Sequence, residues 1–263
     1  MKWMHRRKEL VVLGVLCLPC QSAVAAPVEV DLTGFRSGAG AFFYGPSVST
    51  TGYSVSAVGD HNGDGFQDYI YGSGPLDRAV IVMKRNTTNT PLSIDAIVSS
   101  HYFRVIDGPI SSYFGHTVGG VGDINADGFD DVIVNALFGE VAGRGSAGYA
   151  YVFFGMAGPF TDLTVTADWA ASSLGFMILG TYVTTTFLST PRTAKGLGDV
   201  NGDGIDDFAV ATRNSLAGAV YVIFGKNDSA FTAIDLLPSN FGGNGIYYIG
   251  MSDMGLGYNI MPA

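Results

Sequence analysis

Acidic and amide side chains recur at alternate positions of a nine-residue stretch that occurs three times, at residues 60–68, 123–131 and 199–207. Positions 1, 5 and 9 are Asp in every copy, position 3 is Asn and position 6 is Gly. Calcium takes hard oxygen ligands, and a curled loop turns alternate side chains inward while a main-chain carbonyl supplies another oxygen. Glycine permits the curl because it lacks a Cβ. The pattern predicts three calcium loops, holding about three structural Ca²⁺ ions.

The candidate ligands in each loop are the side chains at positions 1, 3, 5 and 9 and the main-chain carbonyl at position 7. They are Asp60, Asn62, Asp64, Phe66 and Asp68 in the first loop, Asp123, Asn125, Asp127, Phe129 and Asp131 in the second, and Asp199, Asn201, Asp203, Ile205 and Asp207 in the third. Without a cation, each pair of carboxylates at about 4 Å costs roughly 4 kcal/mol at an effective dielectric near 20. The alternative, that Asn, Asp and Gly only form hairpin turns, is weakened by the triple recurrence.

The flanks of these loops exclude an EF-hand, which needs a Glu at position 12 and helices on both sides. Position 12 is Tyr or Val here, and each loop runs directly into a β-type segment, at residues 68–71, 131–134 and 207–210. We therefore expect each ion to lie in the connection between two strands.

Residues 1–25 have the layout of a secretory signal peptide: a basic start, an apolar run from Leu10 to Leu18 and small residues before a cleavage point after Ala25. The apolar run is far shorter than the ~20 residues that span a bilayer. We expect a secreted protein, extracellular or periplasmic, without a membrane span. Cys17 and Cys20 both lie in this leader, so the exported chain would have no disulfide.

The charge balance excludes some partners. The whole chain has 14 Lys and Arg against 23 Asp and Glu, a net charge of −9. Removing the leader takes away four basic residues and Glu9, which leaves 10 basic and 22 acidic residues and a net charge of −12. Such an excess of negative charge argues against nucleic acid and anionic membranes as partners.

The rest of the chain has an all-β composition, because Gly, Thr, Ser, Tyr, Phe and Val dominate and no stretch shows helical periodicity. A strand-and-turn unit recurs at residues 41–45, 103–108, 176–180 and 246–250, and a second apolar unit follows the loops, most clearly at 148–155 and 218–225. The distance between loops leaves room for four short strands with their turns. Four-stranded sheets that repeat radially form a β-propeller.

These motifs resemble the FG-GAP repeats of the integrin α-subunit head and its bacterial relatives. Phe114–Gly115 and Leu256–Gly257 match the FG element, and residues 72–75 match a loosened GAP element. Residues 135–137 and 211–213 depart from GAP. The resemblance covers essentially all of the chain after the leader. It implies a seven-bladed propeller with calcium-binding hairpin loops on one face and ligand recognition by the loops of the opposite face.

The chain has room for three such units and the start of a fourth, at residues 26–263. We therefore expect an incomplete propeller, a sequence that stops within a repeat, and further blades that are missing from it. An open arc of blades leaves sheet edges and apolar faces uncovered.

Other candidate sites are weak. Residues 143–148 match a dinucleotide-binding fingerprint by letters, but a strand and not a helix is expected after them, so we interpret them as a turn. The histidines lack the pairing of a zinc site: His61 occupies a non-ligand position of the first loop, and His101 and His116 are isolated. All three are interpreted as surface or strand histidines. The abundant Tyr and Phe residues at alternating strand positions are expected to pack between blades.

The favoured function is a secreted, calcium-stabilised module for adhesion or ligand binding that is not an enzyme and whose ligand is an unknown protein or glycan. One alternative is a non-catalytic appendage of a secreted hydrolase, since the glycosylphosphatidylinositol-cleaving phospholipase D family carries similar repeats beside a separate zinc domain. A histidine cluster like that of the zinc domain is absent from this sequence. Another alternative is a lectin-like carbohydrate binder. Asn86 and Asn227 are glycosylation acceptors, which would make a glycoprotein only in a host with that machinery.

Overall fold

The computed structural model describes residues 43–44, 52–83, 92–93, 103–140, 143–144, 147–169, 172–183, 187–213, 218–227 and 231–250. Several expectations concern residues outside these ranges: the leader with Cys17 and Cys20, the FG element at Leu256–Gly257, Asn86 and His101.

Strands provide nearly all of the regular structure in the described ranges, which confirms the all-β class. They are β1 (Phe43–Tyr44), β2 (Ser54–Gly59), β3 (Asp68–Ser73), β4 (Arg78–Val82), β5 (Leu92–Ser93), β6 (Phe103–Asp107), β7 (Phe114–Gly122), β8 (Asp131–Ala136), β9 (Tyr149–Phe153), β10 (Leu163–Thr164), β11 (Gly175–Leu179), β12 (Thr181–Val183), β13 (Phe187–Gly198), β14 (Asp207–Arg213), β15 (Ala219–Ile223), β16 (Ile234–Asp235) and β17 (Gly245–Ile249). Among the described residues, helical structure consists of one α-helical turn, α1 (Pro238–Phe241), and the 3₁₀ turns Gly74–Leu76 and Gly242–Asn244.

The strands form three five-stranded sheets, each built around four antiparallel strands of one design. Blade 1 contains β2, β3, β4 and β6, blade 2 contains β7, β8, β9 and β11, and blade 3 contains β13, β14, β15 and β17, each in the order of the chain. A further pair, β1 with β5, lies outside these blades. The recurring strand-and-turn units at 103–108, 176–180 and 246–250 are thus the outer strands of the three blades.

A two-residue strand from the following unit completes the outer edge of blades 1 and 2. The connection between the third and fourth strands of blade 2 contains β10, which pairs in parallel with β6 of blade 1. The corresponding connection of blade 3 contains β16, which pairs in parallel with β11 of blade 2. Blades 2 and 3 therefore each cover the last two residues of the outer strand of the blade before them, which shortens the edge that is open to pairing with another chain.

The inner strands of the three blades lie side by side. A Cβ added to Gly120 of β7 would lie 2.7 Å from the carbonyl oxygen of Ala57 in blade 1, and one added to Gly119 would lie 2.7 Å from that of Ala194 in blade 3. Only glycine allows backbones to approach so closely from both sides of one strand. This radial arrangement of repeated blades is an incomplete FG-GAP-type β-propeller, as the sequence predicts.

The apolar core lies between the blades. All six residues of β8 are buried, because blade 2 is covered on both faces. One cluster joins Ile70 and Ile81 of blade 1 to Phe114 and Tyr151 of blade 2. A second joins blade 2 to blade 3 in the same way. Packing between sheets is the reason why these strands read as nearly continuous apolar runs.

Blade 3 is covered on one face only in the described part of the chain. Ile246 and Tyr248 of its outer strand are 45% and 57% exposed. The equivalent residues of blade 2, Phe176 and Ile178, are fully buried against blade 3. No helix in the described ranges is long and apolar enough to cross a membrane.

Candidate metal centre

The three acidic loops lie at the same edge of the three blades, because each connects an inner strand to the second strand of its blade. Positions 4 and 6 adopt positive φ angles that curl the chain: Gly63 (74°), Gly65 (84°), Ala126 (58°), Gly128 (92°), Gly202 (81°) and Gly204 (89°). Ala126 is the exception to glycine, and this left-handed conformation costs a residue with a Cβ about 1–2 kcal/mol.

Side-chain oxygens of positions 1 and 3 converge on one backbone N–H group in every loop. In the first loop the N–H of Asp64 donates to Oδ1 of Asp60 (2.9 Å) and to Oδ1 of Asn62 (3.0 Å), and the N–H of Gly65 donates to Oδ2 of Asp60 (2.8 Å). The same three bonds measure 3.0, 3.1 and 2.8 Å in the second loop. They measure 3.1, 2.9 and 2.8 Å in the third loop.

Position 5 is tied to the same group of side chains. Its carboxylate accepts a bond from the Asn side chain at position 3, at 3.2, 2.9 and 2.9 Å in the three loops. The N–H of position 7 donates to its other oxygen at 2.9, 3.0 and 2.9 Å. The structure thus brings together the predicted ligands of positions 1, 3 and 5. The carbonyl ligands at Phe66, Phe129 and Ile205 stay a prediction.

The carboxylates at position 9 are buried, and their hydrogen bonds hold the start of each loop. Asp68, Asp131 and Asp207 are buried and accept the N–H of position 2 at 2.9, 3.0 and 2.9 Å. The second oxygen of Asp131 and of Asp207 accepts the N–H of a glycine from the third strand's end, at 2.8 and 2.9 Å. The corresponding Oδ1 of Asp68 is buried and has no hydrogen-bond partner in the described part of the chain. Burial raises the pKa of Asp68 to about 7 and that of Asp131 well above its usual range.

Position 8 carries residues that the sequence reasoning missed. Oδ2 of Asp130 accepts the N–H of Asp60 in the preceding loop at 2.7 Å. Oδ2 of Asp206 likewise accepts the N–H of Asp123 at 3.1 Å. Burial raises the pKa of Asp206, and the negative charges of Asp130, Asp123 and Asp199 add to that rise. The repeated acid at position 8 was a visible signal, but its partner lies in another loop.

The donor chemistry of the loops fits a hard divalent cation. In each loop the carboxylate of position 1 and the amide oxygen of position 3 meet at the N–H of position 5. The candidate side chains are Asp and Asn, with no His or Cys among them. Oδ1 of Asp68 is one further oxygen. Within the described ranges, no group of three or more His, Cys, Asp or Glu side chains is gathered as a metal cluster. Calcium binding therefore stays a prediction that rests on the donor set.

The opposite edge of the blades has a different chemistry. The carboxylate of Asp77 accepts the N–H groups of Ser111 (2.6 Å) and Phe114 (3.1 Å), which anchors the connection between blades 1 and 2 to the β3–β4 turn. Ile110 at the tip of this connection is 93% exposed. Tyr113 and Phe138 beside it are partly exposed and form an edge-to-face pair with ring centroids 5.0 Å apart.

The other sequence predictions have mixed outcomes. The prediction that His61 is a surface or strand histidine is wrong, because it is a fully buried loop residue whose Nδ1–H donates to the carbonyl of Asp130 at 2.8 Å. His116 lies on β7, as expected. A strand, β9, and not a helix follows the fingerprint-like residues 143–148, as expected, while residues 145–146 lie outside the described residues and their interpretation as a turn stays a prediction. The packing of aromatic residues between blades is also confirmed, since Phe114, Tyr151 and Phe153 are buried in the cluster that joins blade 2 to blade 1.

Radial blades that carry an acidic loop between their first and second strands define an FG-GAP-type propeller domain. The family model described as FG-GAP repeat matches residues 114–153, which include β7, the second loop, β8 and β9. The chain is 28% identical over 188 residues to integrin alpha-PS2 of Drosophila melanogaster, covering 68% of this chain and 12% of that protein. It is 32% identical over 187 residues to integrin alpha-IIb of Homo sapiens, covering 67% of this chain and 16% of that protein.

Integrin alpha-E of Mus musculus is 30% identical over 173 residues, which cover 62% of this chain and 13% of that protein. The chain therefore contains an FG-GAP, integrin-α-like domain. It spans less than a fifth of the length of these integrin α relatives.

Proposed function

We propose that this domain is a secreted adhesion or ligand-binding module, stabilised by calcium and without catalytic activity. The observation that carries the proposal is the division between the two edges of the blades. One edge presents three acidic loops with the same hydrogen-bond network, and the opposite edge presents exposed apolar side chains around Ile110. The similarity to integrin α chains supports a binding role rather than an enzymatic one.

Calcium in each loop would be held by the side chains at positions 1, 3, 5 and 9 and a carbonyl at position 7, as the donor set suggests. Its charge would offset the repulsion among the carboxylates and fix the connection between the two inner strands of a blade. At extracellular-module affinities near 10⁻⁴ M and millimolar calcium, each ion contributes roughly 1.5 kcal/mol to the free energy of unfolding.

Calorimetric titration of the purified, metal-free chain with calcium tests this. We expect about three sites, and a melting temperature that rises with calcium and falls with chelator. Asp64→Asn, Asp127→Asn and Asp203→Asn should each remove one site, since each removes one charge with little change of shape. Asp168→Asn is the matched control, because Asp168 is an exposed acid outside the loops. A chain that takes up no calcium, or an unchanged melt, contradicts the proposal.

Ligand recognition is proposed for the edge opposite the acidic loops. A double variant, Ile110→Ser with Phe138→Ser, should lose binding to arrayed extracellular proteins while its fold is kept, because Ile110 is 93% exposed and Phe138 is partly exposed. A parallel glycan array in calcium separates a protein ligand from a carbohydrate one. Retention of all binding by the double variant would move recognition to another surface.

Two further parts of the proposal concern the rest of the protein. Secretion predicts that the chain recovered from an exporting host begins after Ala25, which the mass of the mature protein measures. The exposure of Ile246 and Tyr248 on blade 3 supports further blades of the same kind packing there. A longer reading frame with additional acidic loops would show such blades.

A further inference from the structure

Among the described residues, the hydrogen bonds of Asp130 join the second loop to the first. Its Oδ2 accepts the N–H of Asp60 (2.7 Å), its own N–H donates to the carbonyl of Asp60 (3.2 Å), and its carbonyl accepts Nδ1–H of His61 (2.8 Å). Asp60 is position 1 of the first loop, and Asp130 lies between positions 7 and 9 of the second. One residue therefore connects the candidate ligands of two neighbouring loops.

The same contact recurs between the second and third loops. Oδ2 of Asp206 accepts the N–H of Asp123 at 3.1 Å. In both cases the carboxylate rests against the glycine before position 1, since a Cβ added to Gly59 or Gly122 would lie 2.1 Å from Oδ2 of Asp130 or Asp206. At Gly198, before the third loop, an added Cβ would meet no described atom within 4 Å. The absence of a side chain at Gly59 and Gly122 therefore makes room for the carboxylate at position 8 of the following loop.

The position of these acids gives them a mechanical role. Asp130 and Asp206 are not candidate ligands, but their neighbours at positions 7 and 9 are. An ion that orders positions 7 and 9 of one loop also orders the carboxylate that holds position 1 of the loop before it. Ordering that is shared between two sites makes the second binding event less costly, which is positive coupling.

We propose that Asp130 and Asp206 are positioning residues that couple calcium binding between adjacent loops, so that the three sites fill as a connected row. This inference rests on the proposed binding of calcium. It assigns these two acids a role distinct from ligation. By reciprocity, occupancy of the first loop strengthens binding in the second by the same factor as the reverse.

A four-variant cycle on the full chain tests the coupling between the first two loops. The amide resonance of Gly65, whose N–H is bonded to Oδ2 of Asp60, reports calcium in the first loop, and that of Gly128 reports the second. Asp127→Asn silences the second loop. We expect it to weaken calcium binding at the first loop about fivefold. In an Asp130→Ala background, Asp127→Asn should produce no further weakening.

Two variants control for nonspecific damage. Asp130→Asn keeps an oxygen that can accept the Asp60 N–H, and it should retain most of the coupling. Gln67 occupies position 8 of the first loop and is exposed, so Gln67→Ala should leave the cycle unchanged. Asp130→Ala and Asp64→Asn should also affect the second loop alike, because the first removes the coupling and the second silences the first loop. The calcium affinities of the second loop, measured at Gly128 in these two variants, should agree within about twofold.

The outcomes separate the two proposals. No calcium-dependent shift at Gly65 or Gly128 in the unaltered chain overturns the proposed function itself. In a second outcome, Asp127→Asn weakens calcium binding at the first loop by the same factor whether residue 130 is Asp or Ala. That result supports calcium binding but overturns the role of Asp130. Independent sites, with no effect of Asp127→Asn at Gly65, overturn the coupling altogether.

Discussion

The interface between blades 1 and 2 and the interface between blades 2 and 3 share a backbone design but differ in the chemistry of three equivalent positions. The first interface holds His61, Arg104 and Phe160, in which the Arg104 guanidinium lies 5.5 Å from the Phe160 ring centroid and His61 stacks on the same ring. The second holds Ile124, Phe176 and Phe231, with the two rings stacked 4.6 Å apart.

The positively charged side chain occupies a buried position in the first interface and a position at the rim in the second. Arg104 is 3% exposed, and its Nε and Nη1 have no hydrogen-bond partner among the described residues. In the second interface the cation is Lys226, half-buried at the rim with Nζ 4.6 Å from the Phe231 centroid. The N–H groups of Met156 and Lys226 make the same 3.0 Å bond to the carbonyl of position 2, so these two residues are equivalent.

This comparison indicates that the repeated hydrogen bonds determine how the blades are placed. The side chains at the three equivalent positions determine how stable each interface between blades is. Burying an unpaired cation costs free energy, whereas a rim cation stays hydrated and still contacts the ring. We therefore expect the interface between blades 2 and 3 to be the stronger one.

The largest expected effect comes from removing the central ring of each interface. Phe231→Ala should lower the free energy of unfolding by about 4 kcal/mol, because it leaves a cavity among apolar side chains. Phe160→Ala should cost only about 2 kcal/mol, because water then reaches Arg104 and relieves its desolvation. Urea unfolding of the two variants measures the difference, and equal costs would remove the distinction between the interfaces.

The next effect is the dependence of stability on pH that His61 gives to the first interface, where the second interface has Ile124 at the same position. Burial and the nearby charge of Arg104 lower the pKa of His61 from 6.5 to about 4, although the Asp130 carbonyl and Asp60 oppose that shift. Between pH 4 and 6.5, His61 is therefore protonated in the unfolded chain and neutral in the folded chain. Stability is full above pH 6.5 and falls as the pH drops toward 4, by about 2 kcal/mol at pH 5.

His61→Ile, which copies Ile124 of the second interface, isolates this effect. Asp68 acts in the opposite direction, since its raised pKa favours the folded state as the pH falls below about 7. The informative quantity is therefore the difference between the unaltered chain and the variant across pH 4 to 7. A difference that does not change with pH would show that His61 is not held neutral.

A smaller effect is expected for the buried cation itself. Arg104→Met should raise the free energy of unfolding by about 1 kcal/mol, because an apolar chain of similar length replaces a buried cation whose Nε and Nη1 lack hydrogen-bond partners among the described residues. Thermal and urea unfolding at neutral pH measure the change. A loss of stability would mean that the guanidinium contributes more by packing and hydration than its burial costs.

The smallest effect is expected at the rim. Lys226→Met, which copies Met156, should lower the free energy of unfolding by about 0.5 kcal/mol through loss of the contact with Phe231. The reciprocal variant, Met156→Lys, should gain no more than about 0.5 kcal/mol, since Phe160 is already near a cation. A large effect of either variant would make the rim as important as the buried positions.

Much of the fold was predictable because the acidic loops and the apolar strands repeat along the sequence. Spacing alone located the loops at 60–68, 123–131 and 199–207 and the all-β class. It could not show that the units at 103–108 and 176–180 close a blade at its outer edge rather than open the next one. Both placements give the same order of elements, and only the pairing of β6 with β4 and of β11 with β9 decides between them.

The candidate site was predictable in its local part and not in its contacts across the blades. Bonds among positions 1, 3 and 5 follow from the curl of one loop, so residue types at fixed spacing reveal them. The bond between Asp130 and Asp60 spans 70 positions of sequence, and the burial of His61 depends on Phe160 from the next blade. Such contacts depend on how neighbouring sheets face each other, which a single sequence does not specify.

The short parallel strands β10 and β16 have a consequence for synthesis on the ribosome. A blade can complete its own four strands as soon as they emerge, yet its rim is finished only after the third strand of its successor has appeared. At an elongation rate of about 5–20 residues per second, the outer strand of a newly made blade stays without its parallel partner strand for several seconds. Slowing translation just after a fourth strand should therefore be more harmful to yield than slowing it after a second strand.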